Sequence, residues 1–415
     1  MSGGDRDARA PGRGFWAARD IPTVAWLLLA AAAALAQREL PMPRWLLIHL
    51  LLLGAVTHAI LVWSQYFSFA LLRSSATVAD RRSQTRRLAL VNGGTVLVLA
   101  GLPLGWRALA VAGAAGVVAG AAWHGASLVR RMRGSLPGRF GRTIRYYVAA
   151  AAMLVFGGAL GAWLAAAGSS SNLVLAHALL NVLGWIGLTV AGTVVTLWPT
   201  ILRTRADEFA PKGAARALPA LAAGVAVAAV GAVVSLMPLL LVGLIGYLAG
   251  LIVLGVSLLR AARRSAPRGF AGLSVGAALL WWAGCVVAIV VVGAVSMIEG
   301  SGFAAIGRAI AAAVPFLAAG FAAQILIGAL SYLVPVVLGG GPGPVRAGAA
   351  AFDRFGRVRV ATANAALIAC ALPLPDAGRT VAAMLYLAAM ASFLPIMLLG
   401  MRAQRRAPRP DPPRA

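Results

Sequence analysis

Apolar residues fall in long blocks along this chain, separated by short segments rich in Arg, Gly and Pro. Twelve blocks can be delimited: 21–37, 45–72, 88–105, 108–128, 146–167, 172–199, 217–235, 239–259, 270–297, 309–338, 360–374 and 379–400. About 20 helical residues cross the roughly 30 Å hydrocarbon layer of a bilayer. The pattern therefore predicts a membrane-crossing helix for each block. Blocks 88–105 and 108–128 almost merge, but Gly101, Pro103 and Gly105 predict a turn between them.

Composition narrows the class. Hydrophobic residues make up 61% of the 415 and charged residues 12%, against roughly 45–50% and roughly 25% in soluble domains. Mean hydropathy is +0.86. A soluble domain, a disordered chain and a collagen are excluded. The two cysteines, Cys285 and Cys370, lie in apolar blocks and form no disulfide framework. The start is mixed in charge and carries no cleavage-site pattern, so the first block reads as a retained span. The expected fold class is an all-α polytopic membrane protein of about twelve transmembrane helices. Residues 1–20 read as a cytoplasmic tail, 21–400 as the membrane domain, and 401–415 as a disordered basic tail.

The net charge of +26 suggests nucleic acid until the charges are placed. All 37 Lys and Arg except Arg38, Arg44, Arg107, Arg308 and Arg379 fall on one side once the blocks alternate across a membrane. That is the positive-inside pattern. It predicts an even number of spans with both termini cytoplasmic, in a bacterial plasma membrane. The partner of the basic charge is then the anionic lipid surface and not nucleic acid.

Three blocks share a spacing. Gly54, Gly184 and Gly320 align; eight residues on stand Val62, Gly192 and Gly328, and seven further stand Phe69, Pro199 and Pro335. The glycines lie four blocks apart. The reading is three parallel units of four helices, about 21–128, 146–259 and 270–400, with spans two, six and ten facing inward. Trp45 and Trp198 fit interface anchors. Trp281 and Trp282 fit either interface or core.

All four histidines lie in or near spans, where such residues mark functional sites by default. His49 and His177 share an outer depth on repeat-related helices, so they can face one site. His58 is 2.5 turns from His49 and aligns with Leu188 and Gln324. His124, beside the basic loop, reads as interfacial. Imidazole suits haem iron and copper. No carboxylate lies deep in any span, which weakens a proton-coupled transporter. HExxH, P-loop and paired-carboxylate patterns are absent.

The segments IHLLLLGAVTHAILVWSQYF, AHALLNVLGWIGLTVAGTVVTLWPTILRTR and AGFAAQILIGALSYLVPVVLGGGP carry a resemblance to haem–copper oxidase subunit I. The nearer resemblance is to the NnrS-like branch of membrane haem–copper proteins, and to the membrane portion of actinobacterial multicopper oxidase or nitrite-reductase-like proteins. It implies a low-spin haem ligated by His49 or His58, copper on His177, and an oxidase-type partner. The chain departs from that pattern in spans seven and ten, which hold no histidine. The resemblance thus implies haem or copper binding without dioxygen reduction. A metal-free scaffold or assembly partner, and a transporter or permease, stand as alternatives.

Overall fold

The computed structural model describes residues 17–134, 141–300 and 302–408. The first sixteen residues, segment 135–140 and the tail after 408 lie outside the described residues, with the charges and disorder expected there. Every described element is a helix. In chain order they are α1 (Ile21–Leu35), α2 (Pro43–Leu71), α3 (Val78–Gly101), α4 (Arg107–Arg133), α5 (Ile144–Ala167), α6 (Ser171–Ile201) and α7 (Ala210–Val233). There follow α8 (Met237–Arg264), α9 (Phe270–Ile298), α10 (Phe303–Leu338), α11 (Pro342–Asp353), α12 (Gly356–Ala371) and α13 (Asp376–Arg406).

Among the described residues, nine of these are long and apolar enough to cross a membrane: α2, α4 to α10, and α13. The protein is an all-α, polytopic membrane protein. Each of the twelve apolar blocks falls on a helix, but three of those helices differ from full spans. Helix α1 has 15 residues and α12 has 16. Helix α3 starts ten residues before its apolar block, because Thr77 and Asp80 form a reciprocal capping box that nucleates it inside the Arg-rich segment. The turn expected around Gly105 is present, with Gly105 at φ 74°. Helix α11 was not anticipated. It begins with Pro342 directly after Gly341, whose φ of 97° lets the chain change direction, and Pro suits a first helical position.

Burial separates the helices into two kinds. The helices carrying Gly54, Gly184 and Gly320 bury 67%, 72% and 67% of their apolar window, and none of the other six exceeds 44%. Those three also share a local distortion: each anchor glycine lies in a π-helical stretch, Leu50–Val56, Leu179–Gly187 and Leu317–Ala323. A π turn loosens the i→i+4 ladder, so carbonyls beside it are open to side-chain donors. Leu52 O accepts both the Thr57 backbone N–H and the Thr57 hydroxyl, the latter at 2.8 Å. Tyr247 donates to Leu183 O at 2.9 Å, and Tyr386 to Ala319 O at 2.8 Å.

The chain forms two compact units. One comprises Met1–Thr196, Asp207–Ser257 and Val286–Ala312. Its core includes Leu61, Leu128, Tyr146, Tyr147 and Trp185. Within it α3 and α4 touch backbone to backbone, since a Cβ built on Gly94 would lie 2.5 Å from Gly113 O. Small residues of this kind replace the hydrophobic drive that a lipid environment removes. The other unit comprises Leu197–Ala206, Leu258–Cys285 and Ala313–Ala415, with Phe270, Trp282, Phe321, Phe352 and Phe393 at its core.

Candidate functional site

Helix α2 enters the first unit with Trp45 and His49 one turn apart. A backbone carbonyl can only accept, so the 2.8 Å contact between His49 Nδ1 and Trp45 O fixes the proton on Nδ1. The Trp45 ring stacks on the imidazole at 4.1 Å between centroids. Trp45, expected as an interface anchor, is thus built into the surroundings of His49.

His177 reaches the same place from α6. Glycines at positions 157 and 161 leave a groove on α5, and His177 and Asn181 lie in it. A Cβ on Gly157 would meet Asn181 Nδ2 at 2.6 Å, and one on Gly161 would meet His177 Cε1 at 2.9 Å. The imidazole therefore rests on the α5 backbone, and its Nδ1–H donates to Gly157 O at 2.8 Å. Asn181 turns its amide to His177 O at 2.8 Å. The His49 and His177 rings stand 6.3 Å apart, 21° from parallel. Both have Nδ1 committed to a carbonyl, which leaves Nε2 with its lone pair. Bonding the remote nitrogen to a carbonyl is how proteins orient a histidine that ligates metal. No group of three or more His, Cys, Asp or Glu converges among the described residues, so the candidate donors here are these two imidazoles.

His58 faces other neighbours. Its Nε2–H donates to Arg19 O at 2.7 Å, and its Nδ1 accepts from Asn92 Nδ2 at 2.8 Å. Asn92 Oδ1 accepts from Trp26 Nε1 at 2.7 Å, and the Trp26 ring lies over Gly54. Both ring nitrogens are used, so His58 presents no lone pair. The second unit holds a matching set. Trp281 Nε1 donates to Asn364 Oδ1 at 2.7 Å, Asn364 Nδ2 donates to Gln324 Oε1 at 3.0 Å, and Trp281 lies over Gly320. Gln324 thus stands where His58 does. Trp281 is half-buried and stacks on Phe316, while Trp282 belongs to the core, stacking on Phe321. Trp198 does too: it is buried and donates to Leu258 O at 3.0 Å, so it is not the interface anchor expected.

His124 differs from expectation as well. It is buried at 1% exposure and bonded through Nε2 to Ser64 Oγ at 2.9 Å, because Ser64 and the small residues of α4 make room between helices. Nearby, Arg87 bonds Gln65 Oε1 and reaches Ser127 Oγ at 3.2 Å. At the start of α1, Asp20 accepts from Trp63 Nε1 at 3.1 Å, and burial pushes its carboxyl up to about 7. Sequence reading placed Arg87 among loop charges and passed over Asp20. Compared with known protein families and with curated proteins, the chain matches none.

Proposed function

We propose that this is a redox-associated membrane protein of haem–copper oxidase-like architecture that holds a copper ion between His49 and His177 and does not reduce dioxygen. The observation that carries the reading is the pair of facing imidazoles, each with Nδ1 tied to a carbonyl and Nε2 left over. Imidazole suits copper as it does zinc, iron and nickel, and the resemblance of the chain to membrane haem–copper proteins is what favours copper among them. A bound copper ion supplies one-electron chemistry, which an oxidase or nitrite-reductase-like partner would exchange. The chain's own residues set the donors: Trp45 O and Gly157 O fix both tautomers, and the Trp45 ring shields one face of His49 from water. A haem on His58 does not fit this arrangement, since either the Arg19 or the Asn92 bond would have to break.

The scaffold we infer is twelve spans in three four-helix units, with both termini on the cytoplasmic side. Support comes from the π stretch at each anchor glycine. Further support comes from the Tyr247 and Tyr386 bonds to the residue just before Gly184 and Gly320. The Trp–Asn set repeated at Gly54 and Gly320 adds to it. That repeated set also favours a second reading, a metal-free scaffold, because at His58 the histidine does what a glutamine does elsewhere.

The test is copper and iron quantification on detergent-purified protein, with oxidised and dithionite-reduced spectra of the same sample. Near-stoichiometric copper in wild type and His58→Ala, lost in His49→Ala and His177→Ala, is the expected result. Protein that stays copper-free when grown with copper and when titrated with Cu(I) overturns the reading and leaves the scaffold.

A further inference from the structure

Three helices of the first unit turn polar faces toward one another at their arginine-rich ends. From α2 come Ser64, Gln65 and Ser68; from α3, Asp80, Gln84 and Arg87; from α4, His124, Ser127 and Arg131. Spacings of three, four and seven put the α3 and α4 sets each on one helical face, and in α2 Ser68 lies four residues from Ser64 and three from Gln65. Ser64, Gln65, Ser68, Gln84, Arg87 and His124 are all buried below one-tenth exposure.

The charges in this junction do not balance. Arg87 is 1% exposed, and its hydrogen bonds go to neutral groups, Gln65 Oε1 and Ser127 Oγ. The charged groups that act on it are Arg131, Arg19, Arg130 and Asp80: three cations and one anion. Asp80 is already committed, to Arg131 and to the Thr77 cap. Neutral partners do not offset the cost of a buried guanidinium. Three buried N–H or ring-nitrogen positions are also left without a hydrogen-bond partner among the described residues: Arg87 Nε, Arg131 Nε and His124 Nδ1. Arg131 Cζ lies over the Phe69 ring, 3.9 Å from its centroid.

We propose that the junction of Arg87, Arg131 and His124 is a binding site for a phosphate-class oxyanion, presented by a lipid headgroup or free in solution. Planar guanidinium groups match the oxygens of phosphate in pairs, and basic clefts between membrane helices take lipid phosphates. Arg131 and Asp80, with side chains 17% and 27% exposed, are the partly accessible members of the junction, its outer edge or mouth, and Arg87 and His124 are buried. Asp80 competes with the incoming anion for Arg131. This sets opposite signs for two substitutions. Asp80→Asn removes the resident charge while an amide oxygen can still cap α3, so binding tightens. Arg131→Gln removes a charged donor at the mouth, so binding weakens by about tenfold or more.

The experiment uses the full chain in two arms. In detergent, inorganic phosphate binding is measured by titration calorimetry for wild type, Asp80→Asn and Arg131→Gln. In phosphatidylcholine vesicles with and without phosphatidylglycerol, thermal stability of the same three proteins is compared. Binding of inorganic phosphate in the order Asp80→Asn, wild type, Arg131→Gln supports a soluble anion. Stabilisation by phosphatidylglycerol in that order, without phosphate binding, supports a headgroup. No response in either arm, or responses that Arg131→Gln leaves unchanged, overturns the proposal. Because both diagnostic substitutions lie at partly exposed side chains, the result does not depend on folding of a variant at the buried Arg87.

Discussion

Gly161→Ala tests the proposed copper site without touching a proposed ligand. The added Cβ would lie 2.9 Å from His177 Cε1 and 3.2 Å from Nδ1, and ordinary contact begins at 3.4 Å. The ring must retreat from α5 by about 0.5 Å. That stretches the 2.8 Å bond from Nδ1–H to Gly157 O to about 3.3 Å, beyond the normal N–H···O range. Losing an orienting bond of this kind costs about 10- to 100-fold in metal affinity, while crowding lowers stability by about 1–3 kcal/mol. The assay is Cu(I) affinity by competition with a coloured chelator, alongside thermal melts in detergent. Gly93→Ala is the control, because nothing lies within 4 Å of its added Cβ. It should leave copper affinity unchanged and raise stability by up to about 1 kcal/mol. If Gly161→Ala melts lower but binds copper as tightly as wild type, the Gly157 bond does not orient a ligand and the argument for His177 fails.

Substitutions at two other positions address the neighbouring polar groups. The Asp20 carboxyl titrates near 7 in the folded protein against an ordinary 3.8, so folding favours its protonated form. That contribution is complete below about pH 4 and is lost as the pH rises through 7, up to a ceiling of about 4 kcal/mol. Asp20→Asn should therefore gain stability over wild type between pH 5 and pH 8; thermal melts that show a pH-independent difference would contradict this, as would Trp63 fluorescence with no transition near pH 7. At His58, Gln should preserve the network, as Gln324 does with Asn364, and stay within about 1 kcal/mol of wild type. His58→Ala removes the donor to Arg19 O and one acceptor of the Asn92 amide, which keeps its bond to Leu88 O, and should cost about 1–3 kcal/mol in the same melts. Loss of a haem spectrum in His58→Gln would instead make His58 a ligand.

The class of this protein is legible in its sequence because hydrocarbon imposes a length on every helix, and that length appears directly as an apolar block. The blocks failed where helix formation had another cause. Helix α3 extends into Arg-rich sequence because Thr77 and Asp80 cap it, and hydropathy has no term for a capping bond. Helix α11 forms in a segment read as loop because Pro342 follows glycines that can take positive φ. The glycine spacing was visible, but not its cause: nothing in a one-dimensional pattern marks a π turn, and Tyr247 and Tyr386 stand 64 and 67 residues from the carbonyls they satisfy.

The histidines show the same division between what spacing conveys and what packing decides. Depth and repeat register suggested that His49 and His177 share a site, and the structure puts their rings 6.3 Å apart. What distinguishes them from His58 is the hydrogen-bonding of each ring. A signal for one part of it was in the sequence: Gly157 and Gly161 at i and i+4 face His177 and Asn181 at i and i+4, a small–small stripe opposite a polar pair. For His58 the repeat alignment with Gln324 carried the information. A position that accepts either an imidazole or an amide is defined by having one donor and one acceptor, which a structural network requires and a metal ligand does not. By that criterion the proposed site rests on the Nε2 atoms of His49 and His177, which make no hydrogen bond among the described residues, rather than on histidine as such.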